Sequence, residues 1–329
     1  MVQVLFTCKG IIMKKVVKTL LIAALGLGFA SPIIAAESAG QAGAYLKMGV
    51  GARALGMGSA FTAVSDDSTA AFWNPAGLAK LKKREASFMH ANLTDDRDYN
   101  FFTYSHLLSG KDGKSNGTLA LSHISFGIDG IPETREHLNP ATGQMDPDLD
   151  ANGNVIIYSY FEDKETNTFI SYGKEITDKF YAGVNFKYLK HKLFTNKADA
   201  MGLDFGFMYD WNDKTTLGLS IRDLGESLDW NTESGTKDDV PVTTTFGVAH
   251  QCNDKLLVAA DLNKVKDMDV KFFCGAEYKI QENVILRVGS HDSDLTLGAS
   301  FKLDTWRFDY SYSDETLGDA HRISASKTF

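Results

Sequence analysis

Serine and histidine side chains recur in the first part of the chain, and together they could activate a nucleophile for hydrolysis. The candidates are His90, His106, His123, Ser105 and Ser122. Ser105 and His106 are neighbours in an alternating segment, so they point to opposite faces of a strand. No G-x-S-x-G, H-E-x-x-H, phosphate-binding loop or paired-cysteine motif accompanies them. We therefore predict that the protein is not an enzyme and uses no cofactor.

An acidic turn offers a second candidate chemistry, the binding of calcium. Asp148, Asp150 and Asn152 place side-chain oxygens at alternate positions before Gly153, as in the first half of an EF-hand loop. The second half is missing, because Ser159 stands where a bidentate glutamate is required. We interpret this segment as an acidic surface turn with at most weak calcium binding, and we predict no metal site.

The N-terminus and the overall charge limit where the protein acts. Basic residues precede an apolar run over 19–30, and Ala35 and Ala36 supply small residues for cleavage. We predict a secretory signal peptide over 1–36, with Met13 as a candidate start. The apolar run is shorter than the ~20 residues of a membrane-spanning helix. The net charge of −8 argues against nucleic acid as a partner.

From Glu85 onward, apolar and polar residues alternate with a period of two, which is typical of amphipathic β-strands. The segments reach about ten residues, the length that crosses a bilayer as a tilted strand. Short polar turns alternate with long links, the longest at about 129–165. These features predict an all-β protein, a transmembrane antiparallel barrel of about 14 strands over 85–329 in a Gram-negative outer membrane.

The polar faces of these strands should line the lumen if the apolar faces meet lipid. Their charges have both signs, which favours a solvated or ion-paired interior over a hydrophobic tunnel. The predicted lumen-facing charges are Lys187, Asp204, Arg222, Asp261, Glu277, Arg287, Arg307, Asp309 and Arg322.

Before the strands, residues 51–79 are rich in glycine and alanine and contain an Asn74-Pro75 break. Small residues allow close packing in a confined space, so we predict a hatch over 37–84 that plugs the lumen. The alternative is a simple turn under the sheet. The predicted hatch residues are Gly56, Gly58, Asp66, Asp67, Trp73, Asn74, Pro75, Ala76 and Gly77.

The block GARALGMGSAFTAVSDDSTAAFWNPAGLA and the closing RFDYSYSDETLGDAHRISASKTF resemble the PorV/PorQ family, a branch of the FadL-like outer-membrane barrels. The terminal Phe329 resembles an outer-membrane assembly signal. The resemblance implies a lumenal hatch and, as partners, outer-membrane lipid, the barrel assembly machinery and exported proteins or other components of a type IX secretion system. The alternative that it implies is FadL-like uptake of hydrophobic small molecules. Mainly because of this resemblance, we give preference to a structural or export role over a channel for hydrophobic solutes.

Overall fold

The computed structural model describes residues 41–93, 97–110, 115–315 and 318–329. The predicted signal peptide over 1–36 lies outside these residues. The described strands, in chain order, are β1 (Glu85–Leu93), β2 (Arg97–Ser109), β3 (Ser115–Glu133), β4 (Glu136–Leu138), β5 (Met145–Pro147), β6 (Ser159–Thr177), β7 (Phe180–Leu193), β8 (Asn196–Asn212), β9 (Thr215–Leu224), β10 (Ser227–Trp230), β11 (Lys237–Asp239), β12 (Thr243–Asn253), β13 (Leu256–Val265), β14 (Val270–Gln281), β15 (Val284–His291), β16 (Asp294–Leu303), β17 (Trp306–Glu315) and β18 (Gly318–Thr328).

Fourteen of these strands form one closed antiparallel barrel, which confirms the predicted fold class. Each barrel strand pairs with the next along the chain, and β18 closes the ring by pairing with β1 from Glu85–Thr328 to Asn92–His321. The shorter strands β4, β5, β10 and β11 lie in the links between barrel strands. Closure leaves no free sheet edge, so the ring pairs the backbone of all fourteen strands.

The two ends of the barrel differ. At one end, two-residue turns such as 213–214, 254–255 and 282–283 join the strands, and both β1 and β18 have a terminus there. We call this the short-turn end. The other end carries the links 134–158 and 225–242 and is the long-loop end.

The longest link is shorter than the sequence suggested. β3 continues to Glu133 and β6 begins at Ser159, and these strand ends pair with each other beyond a bulge at Ile128–Ile131. The connecting segment is therefore 134–158 instead of 129–165. It contains the β4–β5 hairpin.

The outer surface of the barrel is apolar and its inner surface is packed. On β7, Phe186 is 51% exposed whereas the next residue, Lys187, is 4% exposed. Comparable exposed residues on other strands include Phe102, Leu121, Ile170, Phe246, Leu297, Phe308 and Ile323. A water-facing surface rarely carries an apolar area of this extent, so this belt faces lipid.

The hatch lies inside the barrel and is built from four short helices. They are a 3₁₀ helix (Ala44–Met48), α1 (Ala52–Leu55), α2 (Ala70–Trp73) and a second 3₁₀ helix (Pro75–Lys80). Most side chains between Val50 and Leu78 are fully buried. No helix in the described part of the chain is long and apolar enough to cross a membrane.

Candidate functional site: the hatch and the lumen wall

The hatch runs along the lumen between the two ends of the barrel. Near the long-loop end, the Tyr45 ring stacks on Phe126 of β3 with a centroid distance of 6.0 Å. Near the short-turn end, Lys80 Nζ lies 2.6 Å from a carboxylate oxygen of Asp210, which precedes the β8–β9 turn. A hatch placed in this way occupies the route that a solute would follow through the barrel.

The Asn74-Pro75-Ala76-Gly77 turn fixes the centre of the hatch. Asn74 has extended backbone before Pro75, which opens the second 3₁₀ helix. The buried Asn74 amide donates to the carbonyl oxygens of Thr62 at 2.9 Å and Phe207 at 3.1 Å. Its Oδ1 accepts the Ala76 N–H at 3.2 Å. One side chain therefore joins two parts of the hatch to strand β8.

The barrel wall meets the hatch with glycines that the sequence analysis overlooked. A Cβ on Gly183 would lie 2.3 Å from the Pro75 carbonyl carbon, and one on Gly275 would lie 2.3 Å from the Met57 carbonyl oxygen. Backbone of the hatch and backbone of the wall thus approach too closely for any side chain between them. We name this set the glycine girdle: Gly173, Gly183, Gly206, Gly218, Gly275, Gly289 and Gly298. The sequence does carry a signal for this set, because glycine recurs at the strand positions whose side chains would face inward.

Several predicted hatch residues pack within the hatch itself or against the wall. Trp73 Nε1 donates to the Val50 carbonyl at 2.9 Å. A Cβ on Gly77 would lie 1.9 Å from the Ser65 carbonyl oxygen. Gly56 and Gly58 pack against the backbone of β16 and β15. These contacts hold the hatch in a single compact arrangement.

An ion-pair network joins the hatch to strands β14 to β17. Arg53 on α1 pairs with Asp66 at 2.5 Å, Asp67 at 3.0 Å and Glu277 at 2.9 Å. The wall groups continue the network, because Arg287 pairs with Glu277 at 2.7 Å and with Asp309 at 3.4 Å. A buried charge that loses its partner is strongly destabilising, so this network ties the position of α1 to the wall.

Arg307 completes the network from β17. It pairs with Asp309 at 2.8 Å and reaches back to Asp67 at 3.0 Å. Burial alone would raise the pKa of Asp67, but the Arg307 and Arg53 guanidinium groups lower it to about 2. The Asp67 carboxylate is therefore ionised at neutral pH.

Lys187 forms a separate buried cluster where the pairing of β8 and β9 changes register. Its ammonium group lies 3.4 Å from Asp204 and 2.8 Å from Glu226, and it also pairs with Asp223. Asp223 adopts a left-handed φ of 66° and donates its N–H to Asp204. The three carboxylates are close enough to hold a metal ion, but the lysine already supplies a cation to each of them.

The remaining predicted lumen charges also point inward. Asp261 accepts the N–H groups of Phe61 at 3.1 Å and Thr62 at 3.0 Å. The Arg222 guanidinium lies 4.7 Å from the centre of the Phe72 ring, and Arg322 is buried on β18. Most of the predicted lumenal charges thus contact the hatch or one another.

A second wall of the lumen is apolar. Neighbouring inward residues on β2, β3, β6, β7 and β8 form one row across the sheet, namely Phe101, Ile124, Asn167, Leu189 and Ala200. Tyr99 and Phe169 extend this surface and are almost completely buried. Within the described residues, the Asn167 amide and the Tyr99 and Tyr45 hydroxyls find no hydrogen-bond partner. We name this surface the apolar wall.

The residues considered for chemistry are dispersed. His90, His106 and His123 are exposed on the outer face, whereas Ser105 and Ser122 are buried inside, so the sheet separates the two groups. In the acidic turn, the carboxylate of Asp148 forms hydrogen bonds with His137 and Tyr158. Asp150 accepts the N–H groups of Asn152 and Asn154. Protein donors therefore already use the oxygens that calcium would need.

The fold is similar to that of solved outer-membrane channels, although the sequence matches no known family model and no curated protein. The toluene transporter TbuX of Ralstonia pickettii is 16% identical with a TM-score of 0.56, over 85% of this chain and 98% of TbuX. The monoaromatic hydrocarbon channel CymD is 15% identical with a TM-score of 0.58, over 86% of this chain and 98% of CymD.

A FadL homologue from Pseudomonas aeruginosa is 14% identical with a TM-score of 0.52, over 83% of this chain and 97% of that protein. At these identities the similarity concerns the fold, so the chain has the fold of the FadL-like outer-membrane barrels. It does not extend to the narrower PorV/PorQ assignment, which stays a prediction.

Proposed function

We propose that the protein is an outer-membrane channel for small hydrophobic molecules and that the hatch controls passage. The observation that carries this proposal is the apolar wall, a row of inward side chains across five neighbouring strands that is apolar on four of them and carries the Asn167 amide on β6. Apolar surface that faces the interior of a barrel provides a favourable path for solutes of low polarity. The names of two structural neighbours, a toluene transporter and a monoaromatic hydrocarbon channel, support the same class of solute.

The structure weakens our initial preference for a role in protein export. That preference rests mainly on the PorV/PorQ resemblance, and only secondarily on the mixed charges of the lumen as an argument against a hydrophobic route. Many of these charges pair with the hatch or with each other on β14 to β17, as Arg53 and Glu277 do. They hold the plug in place, and the row residues of the apolar wall carry no charge, although the Lys187–Asp204 ion pair lies on the same strands β7 and β8. Uptake of hydrophobic molecules is therefore the better-supported alternative.

In this proposal the long-loop end faces the outside and the short-turn end faces the periplasm. The hatch must rearrange before a solute passes, because residues such as Phe61 and Leu78 are fully buried inside the barrel. Outer-membrane lipid and the barrel assembly machinery, which would read the C-terminal Phe329, remain the proposed partners.

Uptake of radiolabelled toluene by Gram-negative cells that lack their own hydrophobic-solute channels tests the proposal. Cells with the protein should take up toluene faster than cells without it. Ile124→Thr places a hydroxyl in the apolar wall and should slow uptake, whereas Ile170→Thr makes the same change on the lipid-facing surface, where Ile170 is 56% exposed. Equal uptake with and without the protein, at confirmed surface levels, would refute the channel function.

A further inference from the structure

A groove at the rim of the barrel, at the short-turn end, carries an unusual concentration of positive charge. It has a volume of about 290 Å³ and is lined by Lys82, Lys83, Arg84, His106, Leu107, Ser109 and Phe329. The three consecutive cations are exposed. None of them forms an ion pair with any described residue, including the terminal carboxylate of Phe329.

The groove exists because two neighbouring strands end at different heights. The pairing of β1 with β2 stops at Glu85–Ser105, but β2 continues to Ser109. The segment that leaves the hatch crosses this step, and the Arg84 carbonyl accepts the N–H of Phe329 at 2.9 Å. The cations are thus held beside the seam where β18 closes the barrel on β1.

One side of the groove borders the lipid-facing surface. His106 is exposed on the same outer face as Phe102, which is 45% exposed in the apolar belt. Aromatic side chains surround it, since the rings of Tyr104 and Phe329 are 6.4 Å apart and Lys327 Nζ lies 5.2 Å from the Phe329 ring centre. Aromatic and basic residues of this kind mark the level of the lipid headgroups.

We propose that this groove binds the phosphate of an anionic phospholipid headgroup in the periplasmic leaflet. Arg84 can bind two phosphate oxygens through its guanidinium fork, and the two lysines add point charges. Ser109 offers a hydroxyl donor, while the exposed Phe329 ring provides apolar surface where the acyl chains begin. A phospholipid satisfies both parts of the groove, whereas a free phosphate ion satisfies only the polar part.

Native mass spectrometry of the full-length protein, purified in mild detergent with added phosphatidylglycerol, tests this site. The variant Lys82→Gln/Lys83→Gln/Arg84→Gln should bind about one tenth of the lipid that the wild type binds, or less. The reason is that each basic residue near an anionic headgroup contributes substantially to binding. The matched control is Lys179→Gln/Lys214→Gln/Lys255→Gln. It removes three exposed positive charges from turns at the same end of the barrel and should retain lipid like the wild type.

The outcomes separate the alternatives. Equal loss of lipid in both triple variants would show general electrostatic attraction and would overturn the site, as would unchanged binding in both. If inorganic phosphate at a similar concentration displaced phosphatidylglycerol, the groove would be a site for a free anion, and the proposed lipid binding would be refuted. Heat-modifiable migration on gels verifies that each variant is a folded barrel. Toluene uptake depends on the lumen and lipid binding depends on the groove. Failure of one experiment therefore does not refute the proposal that the other experiment tests.

Discussion

Asn74 shows how a single side chain can hold a plug in a barrel. Its amide group donates to two carbonyl oxygens, one in the hatch and one on β8, and its carbonyl oxygen accepts from Ala76. The carbonyls of Thr62 and Phe207 would face an oxygen instead of a donor if the amide nitrogen were replaced. Because the site is buried, water cannot easily compensate for the loss.

Asn74→Asp preserves the size of the side chain, removes the two donated hydrogen bonds and places a buried carboxyl group against two carbonyl oxygens. We expect a loss of at least about 1–3 kcal/mol in the free energy of unfolding, from the unpaired carbonyls and the buried carboxyl group. Urea unfolding of protein in lipid vesicles measures it. Asn100→Asp is the control, since Asn100 contacts His90 on the outer surface and should alter stability little. A stable Asn74→Asp variant would show that the turn does not depend on these bonds.

The glycine girdle makes an equally specific prediction. In Gly183→Ala the new methyl group would overlap the Pro75 carbonyl carbon, so the hatch must shift away from the wall. We expect a higher ion conductance in planar bilayers, because a displaced plug leaves space for water and ions. Gly127→Ala is the control, where the nearest atom is 3.1 Å away and belongs to Asp163 instead of the hatch. Equal conductance in both variants would argue against close packing as the seal.

At the scale of elements, the hatch and the barrel depend on different interactions. The fourteen strands satisfy their backbone hydrogen bonds by pairing with each other around the ring. The hatch is held by side chains and by close packing, as in the bond from Asn185 to the Ala71 carbonyl. We infer that the barrel can close without the hatch, whereas the short hatch helices need the barrel.

Deletion of residues 59–78 tests this independence. The shortened protein should still show heat-modifiable migration and a β-sheet circular dichroism spectrum. Its conductance in planar bilayers should exceed that of the wild type, because helix α2 and the turn at Asn74 no longer fill the lumen. Deletion of the β4–β5 hairpin over 136–147 is the control and should leave conductance low, as that hairpin lies in the long link. A hatch deletion that fails to fold would show that the plug is required for closure.

The strands were predictable from the sequence because a local pattern determines them. Alternation in segments such as Phe180–Leu193 defines which residues face lipid, and parity then places Lys187 and its neighbours inside. Partner choice was not predictable, since Arg53 meets Glu277 across more than two hundred residues. The ends of β3 and β6 were also missed, because beyond the membrane the lipid no longer imposes strict alternation.

For the whole molecule, the main property is a lumen with two different walls. Strands β14 to β17 carry the ion pairs that hold α1, and strands β2 to β8 carry the apolar wall. Our initial functional preference rested mainly on the PorV/PorQ resemblance, and its second argument, the mixed charges, treated the lumen as uniform. A division of this kind would allow a barrel to stay closed to ions while it provides a path for apolar solutes.

This division predicts that the two transport properties can be changed separately. Arg287→Gln removes a buried charge that pairs with Glu277 and Asp309, so it should loosen the hatch and raise ion conductance while toluene uptake continues. Ile124→Thr should do the opposite, because it makes the apolar wall more polar without touching an ion pair. Planar-bilayer recording and toluene uptake, measured on both variants, give the four values required. If each variant changed both properties in parallel, solutes and ions would share one path, and the two walls would have no separate roles.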